Sequence, residues 1–148
     1  MGITNSNKEV NVSQITCGGT FQVTLGLSAA PDISENPVDI VLVLDRSGSM
    51  AGSPLENLKL GADTFIDIID ETTDSTQDGQ IGSGSHIGIV SFSGSASADT
   101  QLITSVADLK AAVAALSAGG STNHADAFST AASLFDPSSS NEKVIVMF

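Results

Sequence analysis

Two hydrophobic rhythms divide the chain. Within Val10 to Ala30, Phe21, Val23, Leu25 and Leu27 alternate with Gln22, Thr24 and Gly26, the two-residue period of a strand with one covered face. From Val38 to Leu44 the residues are nearly all apolar, as a parallel strand covered on both faces requires. Ser53-Pro54-Leu55-Glu56 then opens a helix. Ser53 is the expected cap, Pro54 suits the first helical position, and Glu56 completes a capping box. Leu55, Leu58, Ala62, Phe65, Ile66 and Ile69 share one face, and the pattern predicts an end near Asp70.

Residues 71–85, ETTDSTQDGQIGSGS, predict a long polar loop. HIGIVSF (86–92) reads as a second buried strand and TQLIT (100–104) as a short, weaker one. Ser105 and Asp108 open another helix, with Val106, Leu109, Val113 and Leu116 on its apolar face. After the tight loop 117–123, Asn123 or Thr122 caps a third helix expected to bury Phe128, Ala131, Ala132 and Phe135. A loop at 136–140 leads into a further buried strand from Lys143 to Phe148. At the other end, residues 1–9 are polar and expected to fray. Gly18-Gly19 reads as a turn, and PDISENP (31–37) as a linker.

The organisation that follows is an N-terminal β segment and linker (1–36), then a β-α-β-β-α-α-β unit (37–148). Crossovers of this kind predict an α/β fold: a doubly wound, mostly parallel sheet flanked by helices. Ligands of such sheets sit beyond the carboxyl ends of the strands, and Asp45 stands at one of those ends.

Charge narrows the partners. The chain of 148 residues carries a formal charge of −12, and Lys8, Arg46, Lys59, Lys110 and Lys143 are scattered. Binding nucleic acid through phosphates needs clustered bases and is excluded as an expectation. An acidic surface gathers divalent cations instead. No apolar run reaches the length of a membrane span, so no membrane insertion is expected. The Met1-Gly2 start shows no signal peptide. Cys17, the single cysteine, is either a buried thiol or has its partner in another sequence.

The chemistry lies in DRSGSM (45–50). Alternate spacing in an extended turn points Asp45, Ser47 and Ser49 the same way, and Gly48 lets the backbone curl. One carboxylate and two hydroxyls form a hard donor set suited to Mg²⁺, Mn²⁺ or Ca²⁺ and not to Zn²⁺. Thr122, in GGSTN (119–123), is the candidate further oxygen. The plainer alternatives are a solvated turn capped by Asp45 and a helix cap at Thr122, which can coexist with ligation. Asp126 suits the helix dipole. Arg46 points away from the metal loop, as a surface charge or a contact for an acidic group. His86 reads as structural, His124 as a surface or packed residue, and Asp70, Glu71, Asp74 and Asp78 as a solvated face. Enzyme readings lack their residues. An aspartate-based phosphotransferase needs a second aspartate where Ser47 stands, GSHIG (84–88) is no nucleophile elbow, and no Walker loop occurs.

DIVLVLDRSGSM resembles the first motif of the metal-ion-dependent adhesion site in von Willebrand factor A domains, and GGSTN resembles the second. The resemblance covers roughly residues 37–148. It implies Ser47, Ser49 and Thr122 as direct ligands, with Asp45 a ligand directly or through water. It also implies Mg²⁺ (or Mn²⁺/Ca²⁺) as cofactor, and binding without catalysis to a protein partner whose Glu or Asp carboxylate completes the metal shell. Arg46, Met50, Asn123 and His124 would border that contact. The implied setting is an extracellular, cell-surface adhesin, with an intracellular scaffold in a chelatase- or ATPase-type assembly as the alternative. The family's third motif is an aspartate just after the strand that KVIVMF resembles, and the sequence stops at Phe148. The domain is therefore expected to be shortened, nicked or split, and completed by a missing C-terminal half or a second chain.

Overall fold

A computed structural model describes residues 2–10, 23–30 and 36–148. The chain divides into two compact units, Met1–Glu35 and Asn36–Phe148. In the first, strands β1 (Gly2–Val10) and β2 (Val23–Ala30) form an antiparallel pair. The polar start of the chain is thus a strand and not a frayed end. The expectations for Cys17, Gly18-Gly19 and Phe21, and most of the 31–37 linker, lie outside the described residues.

The second unit is the expected α/β layer structure. Its sheet has the order β5-β4-β3-β6, built from β3 (Val38–Asp45), β4 (His86–Phe92), β5 (Ala96–Ala98) and β6 (Glu142–Met147). β3 pairs in parallel with both β4 and β6, while β5 is antiparallel to β4. Helices α1 (Ser53–Asp74), α2 (Val106–Ala114) and α3 (His124–Ser133) complete the unit.

Side-chain alternation along β3 explains its unbroken apolar run. Ile40, Leu42 and Leu44 face a core shared with Leu55, Leu58, Ala62 and Ile66 of α1 and Val106, Leu109 and Val113 of α2. Val41 and Val43 face the other way, onto Val90, Phe92 and the small Ala127 and Ala131 of α3. At about 25 cal/mol per Å² of apolar surface, this two-sided burial is the main stabilising term.

Five sequence expectations change. The cap of α1 is Gly52, at φ 82°, so Ser53 sits inside the first turn and the capping box does not form. The same helix runs on to Asp74. Thr72 and Thr73 hydroxyls bond the carbonyls of Ile68 and Ile69, and Thr73 Oγ1 accepts the N–H of Gly82, which ties the last turn to the loop. Asp70 is only 3% exposed and accepts from the Gly79 N–H, so it does not belong to a solvated face. The short strand is 96–98 and not 100–104, because the Thr100 hydroxyl takes the Ile89 N–H that a ladder would use, and only Ile103 bridges back to Ile87. Finally, Phe128 is 46% exposed. Ala127 and Ala131 are the buried positions of α3 and let it lie close to the sheet.

Asp39, 3% exposed, closes the amino end of β3. Its carboxylate meets His86 Nδ1 at 2.9 Å, Asn141 Nδ2 at 2.9 Å and Ser139 Oγ at 3.3 Å. Burial opposes ionisation there, but the hydrogen bonds from Asn141, His86 and Ser139 and the charge of His86 outweigh it, and the pKa lies below its ordinary value. On the outer side of α1, Lys110 pairs with Asp67 at 2.6 Å. Asp63 Oδ1 is buried without a hydrogen-bond partner among the described residues. Burial raises the Asp63 pKa, with Lys110 opposing and Asp67 adding to the rise.

Candidate metal centre

The chain turns sharply where β3 ends. Asp45 Oδ1 accepts the Ser47 N–H at 2.7 Å, which folds the loop over its own carboxylate. Gly48–Met50 form a single 3₁₀ turn, closed by Met50 N–H to Ser47 O at 3.0 Å. Ser47 is 1% exposed, and its Oγ lies 3.1 Å from the Oγ of the exposed Ser49. The loop thus brings together the three oxygen-bearing side chains that the sequence spacing predicts.

A second loop is clamped onto the first by backbone alone. Gly119 N–H donates to Arg46 O at 2.8 Å, and Gly48 N–H donates to Gly120 O at 2.9 Å. The contact is tight at two glycines: a Cβ on Gly48 would stand 3.2 Å from Gly120 O, and Gly120 has φ 83° with Ser93 Oγ 3.2 Å from its own would-be Cβ. Thr122 follows two residues later and is exposed. It therefore stands in the loop between α2 and α3 that touches the Asp45–Ser49 turn.

A third loop, at 93–96, braces the second. Asn123 N–H donates to Ser93 O at 2.7 Å, and a Cβ on Gly94 would meet Ser121 Oγ at 2.8 Å. Asp126 Oδ2 accepts the Ala96 N–H at 2.7 Å, so this carboxylate holds β5 to α3 besides sitting in the helix's first turn. No local pattern announces these contacts, because they join residues about thirty apart in sequence.

The residues expected at the rim fare differently. Asn123 is the cap of α3: its Oδ1 accepts from Asp126 N–H at 3.2 Å, and its Nδ2 reaches Gly94 O at 3.5 Å. Met50 is half-buried against the core. His124 is exposed, its ring 5.3 Å from that of Phe92. Arg46 is half-buried, and its Nε donates to Ser91 Oγ at 3.3 Å.

The donor chemistry fits a hard divalent cation. Asp45, Ser47, Ser49 and Thr122 are all oxygen donors, with no thiolate or imidazole in the set, and among the described residues no group of three or more His, Cys, Asp or Glu is placed to hold a metal ion. The glycine-to-glycine clamp fixes the loop backbone from which these oxygens project.

Comparison with known proteins bears on the fold. A family model described as von Willebrand factor type A domain matches residues 40–148. The vWF domain of the type V pili tip protein Mfa5 from Porphyromonas gingivalis superposes with a TM-score of 0.66 at 23% identity, covering 74% of this chain and 36% of that one. A structure of three N-terminal domains of Mfa5 gives 0.67 at 20% identity, over 99% of this chain and 26% of that one. Proximal thread matrix protein 1 from the mussel byssus, solved with a zinc-occupied MIDAS motif, gives 0.59 at 23% identity over 78% and 29%. The chain thus spans between about a quarter and a third of the length of these structures. No curated protein sequence matches it.

Proposed function

We propose that this chain, which belongs to the von Willebrand factor type A domain family, is a divalent-metal-dependent protein-binding domain whose ligands are Asp45, Ser47, Ser49 and Thr122. The observation that carries the reading is the turn after β3, where Ser47 Oγ and Ser49 Oγ lie 3.1 Å apart beside the Asp45 carboxylate, on a backbone clamped to the Thr122 loop.

Mg²⁺ is the proposed ion, with Mn²⁺ or Ca²⁺ fitting the same oxygens. When bound, the ion offers a coordination position to a Glu or Asp carboxylate of a protein partner. The chain's own residues do the rest. Asp45 holds the Ser47 N–H and so sets the curl of the loop, Ser47 and Ser49 present their hydroxyls together, and the two glycines keep Thr122's loop in place. Among the described residues the Ser47 and Ser49 hydroxyls hydrogen-bond to each other, and the Asp45 carboxylate engages the Ser47 backbone N–H and not its hydroxyl, which favours a binding reading; no esterase or phosphatase turnover with Mg²⁺ or Mn²⁺ is expected. An extracellular, cell-surface setting is supported by the likeness to a pilus tip protein and a byssal thread protein. The outer edge of β6, where Val144 and Met147 are each 38% exposed, suits a further strand from another segment or a second chain.

Calorimetric titration of Mn²⁺ tests the site. The Ser47→Ala/Thr122→Ala pair should weaken binding by more than about a hundredfold, beyond the roughly 10–100-fold typical of outer-shell changes. Unchanged affinity in the double variant would refute the ligand assignment.

A further inference from the structure

A cavity of about 490 Å³ opens beside the metal loop, between the ends of β3, β4 and β5 and the end of α2. Arg46 reaches it from the position between Asp45 and Ser47. Successive side chains of an extended segment point to opposite sides, so the residue that separates two metal-facing side chains is turned the other way. Its backbone is gripped at both ends, by Arg46 N–H to Phe92 O at 2.9 Å and Gly119 N–H to Arg46 O at 2.8 Å. Its Nε is held by Ser91 Oγ, and Ser91 is itself 1% exposed. The guanidinium is therefore delivered to a fixed place, with its two terminal nitrogens making no hydrogen bond or ion pair among the described residues.

This is the only arginine in a chain of net charge −12. Asp99 lines the same cavity, yet no carboxylate among the described residues lies within ion-pair distance of Arg46. The other polar walls are Ser97 and Ser117, and Ala115 and Leu116 supply an apolar side. The volume is that of a small-ligand pocket and takes one side chain of a peptide together with its backbone.

The geometry points to a second recognition subsite: the cavity binds an acidic side chain of the partner segment, its carboxylate paired with the free fork of Arg46 and its backbone N–H donated to Asp99. A planar guanidinium with two open nitrogens matches a carboxylate in two parallel hydrogen bonds. Asp99 disfavours a doubly charged phosphate in the same space and favours a group that brings an N–H along with its anion. Ser97 and Ser117 accept or donate as the peptide requires. The subsite rests on the protein-binding reading for the source of its ligand, but not on the metal, since no atom of the cavity belongs to the Asp45–Ser47–Ser49–Thr122 donor set. A partner would thus be read by two carboxylates, one on each side of the loop backbone.

The test uses the full chain treated with EDTA and the capped residue N-acetyl-glutamate amide as probe, followed by ¹H–¹⁵N NMR. Saturable shifts are expected at Arg46 Nε–H and at the backbone amides of Ser97, Asp99 and Ser117, and they should be lost in Arg46→Gln. The neutral probe N-acetyl-glutamine amide should give none. Ser47→Ala/Thr122→Ala should leave the shifts intact while abolishing the Mn²⁺ response, so the subsite and the metal site fail or survive separately. Shifts absent from the cavity, equal with the neutral probe, or retained in Arg46→Gln overturn the subsite. Arg46→Gln keeps a donor for Ser91 Oγ, and an unchanged spectrum away from the cavity shows that it folds.

Discussion

The backbone N–H of Gly48 donates to the carbonyl of Gly120 at 2.9 Å, and a methyl group on Gly48 would stand 3.2 Å from that same oxygen. The turn after β3 and the loop between α2 and α3, 72 residues apart (120 − 48), therefore meet through main-chain hydrogen bonds. Gly120 is the less replaceable partner, because its φ of 83° is one that L side chains rarely adopt. Gly120→Ala should destabilise the chain by about 1–2 kcal/mol, seen as a lower urea midpoint with an unchanged m-value. It should also weaken Mn²⁺ binding with all four oxygen donors still present. Full Mn²⁺ affinity in this variant would show that the clamp does not position the donors.

Asp39 lies at the opposite end of the strand that ends in Asp45. Its folded-state pKa is depressed below 3.8. A carboxyl of that kind contributes stability at all pH values above its unfolded pKa, and the contribution disappears as pH falls through the folded value. Asp39→Asn should cost about 1–3 kcal/mol near neutral pH. The gap between variant and wild type should close as urea unfolding is repeated toward about pH 3. A gap that stays constant across that range would mean that the charge of Asp39 is irrelevant.

The reverse sign holds for Asp63. Burial raises its pKa, and one of its oxygens has no partner among the described residues. The ionised form is therefore a cost of the folded state, relieved as pH falls through the raised value. Asp63→Ala should stabilise the chain by roughly 1 kcal/mol near neutral pH, helped by alanine's helix propensity. The gain should shrink in acid. Thermal melts of the two proteins at neutral and acid pH decide it.

Asn123 separates capping from ligation at the third helix. Asn123→Ala removes the acceptor for Asp126 N–H and should cost about 1 kcal/mol. Asn123→Ser should recover most of that loss, since serine caps comparably well. Equal melting temperatures for wild type and Asn123→Ala would show that Asp126 and its bond to Ala96 hold the helix start unaided.

Much of this architecture is legible along the chain, for identifiable reasons. HIGIVSF gathers Ile87, Ile89, Val90 and Phe92 within a few residues between polar neighbours, and β4 occupies those seven residues. Ser105 three residues before Asp108 is a capping spacing, and Ser105 caps α2. The segment Ala96–Ala98 gives no such warning. Alanine and serine are poor strand formers, and the pairing exists because the chain reverses beyond Phe92. Phe128 misled for a related reason: helix periodicity shows that one face is buried, but small alanines won the sheet-facing position by packing closely. At the site, the oxygen set and the paired glycines are visible in sequence. The bonds by which the 93–96 loop braces its neighbour and the cavity behind Arg46 are not, since both arise from contacts between distant segments.

β3 carries one further consequence. Five consecutive buried apolar residues, Ile40 to Leu44, pair with β4 on one side and β6 on the other. A strand that is greasy on both faces has little in its middle to prevent a one-residue slip, because either face would still find an apolar neighbour. Its two aspartates act as stops on a sliding rod. Asp39 is caught by His86 and Asn141, and Asp45 by the turn it folds around itself. A slip in either direction would drag one of these carboxylates into the apolar layer. The alignment of the Asp45–Ser49 turn with its neighbours is thus set from both ends, including the end farthest from that turn.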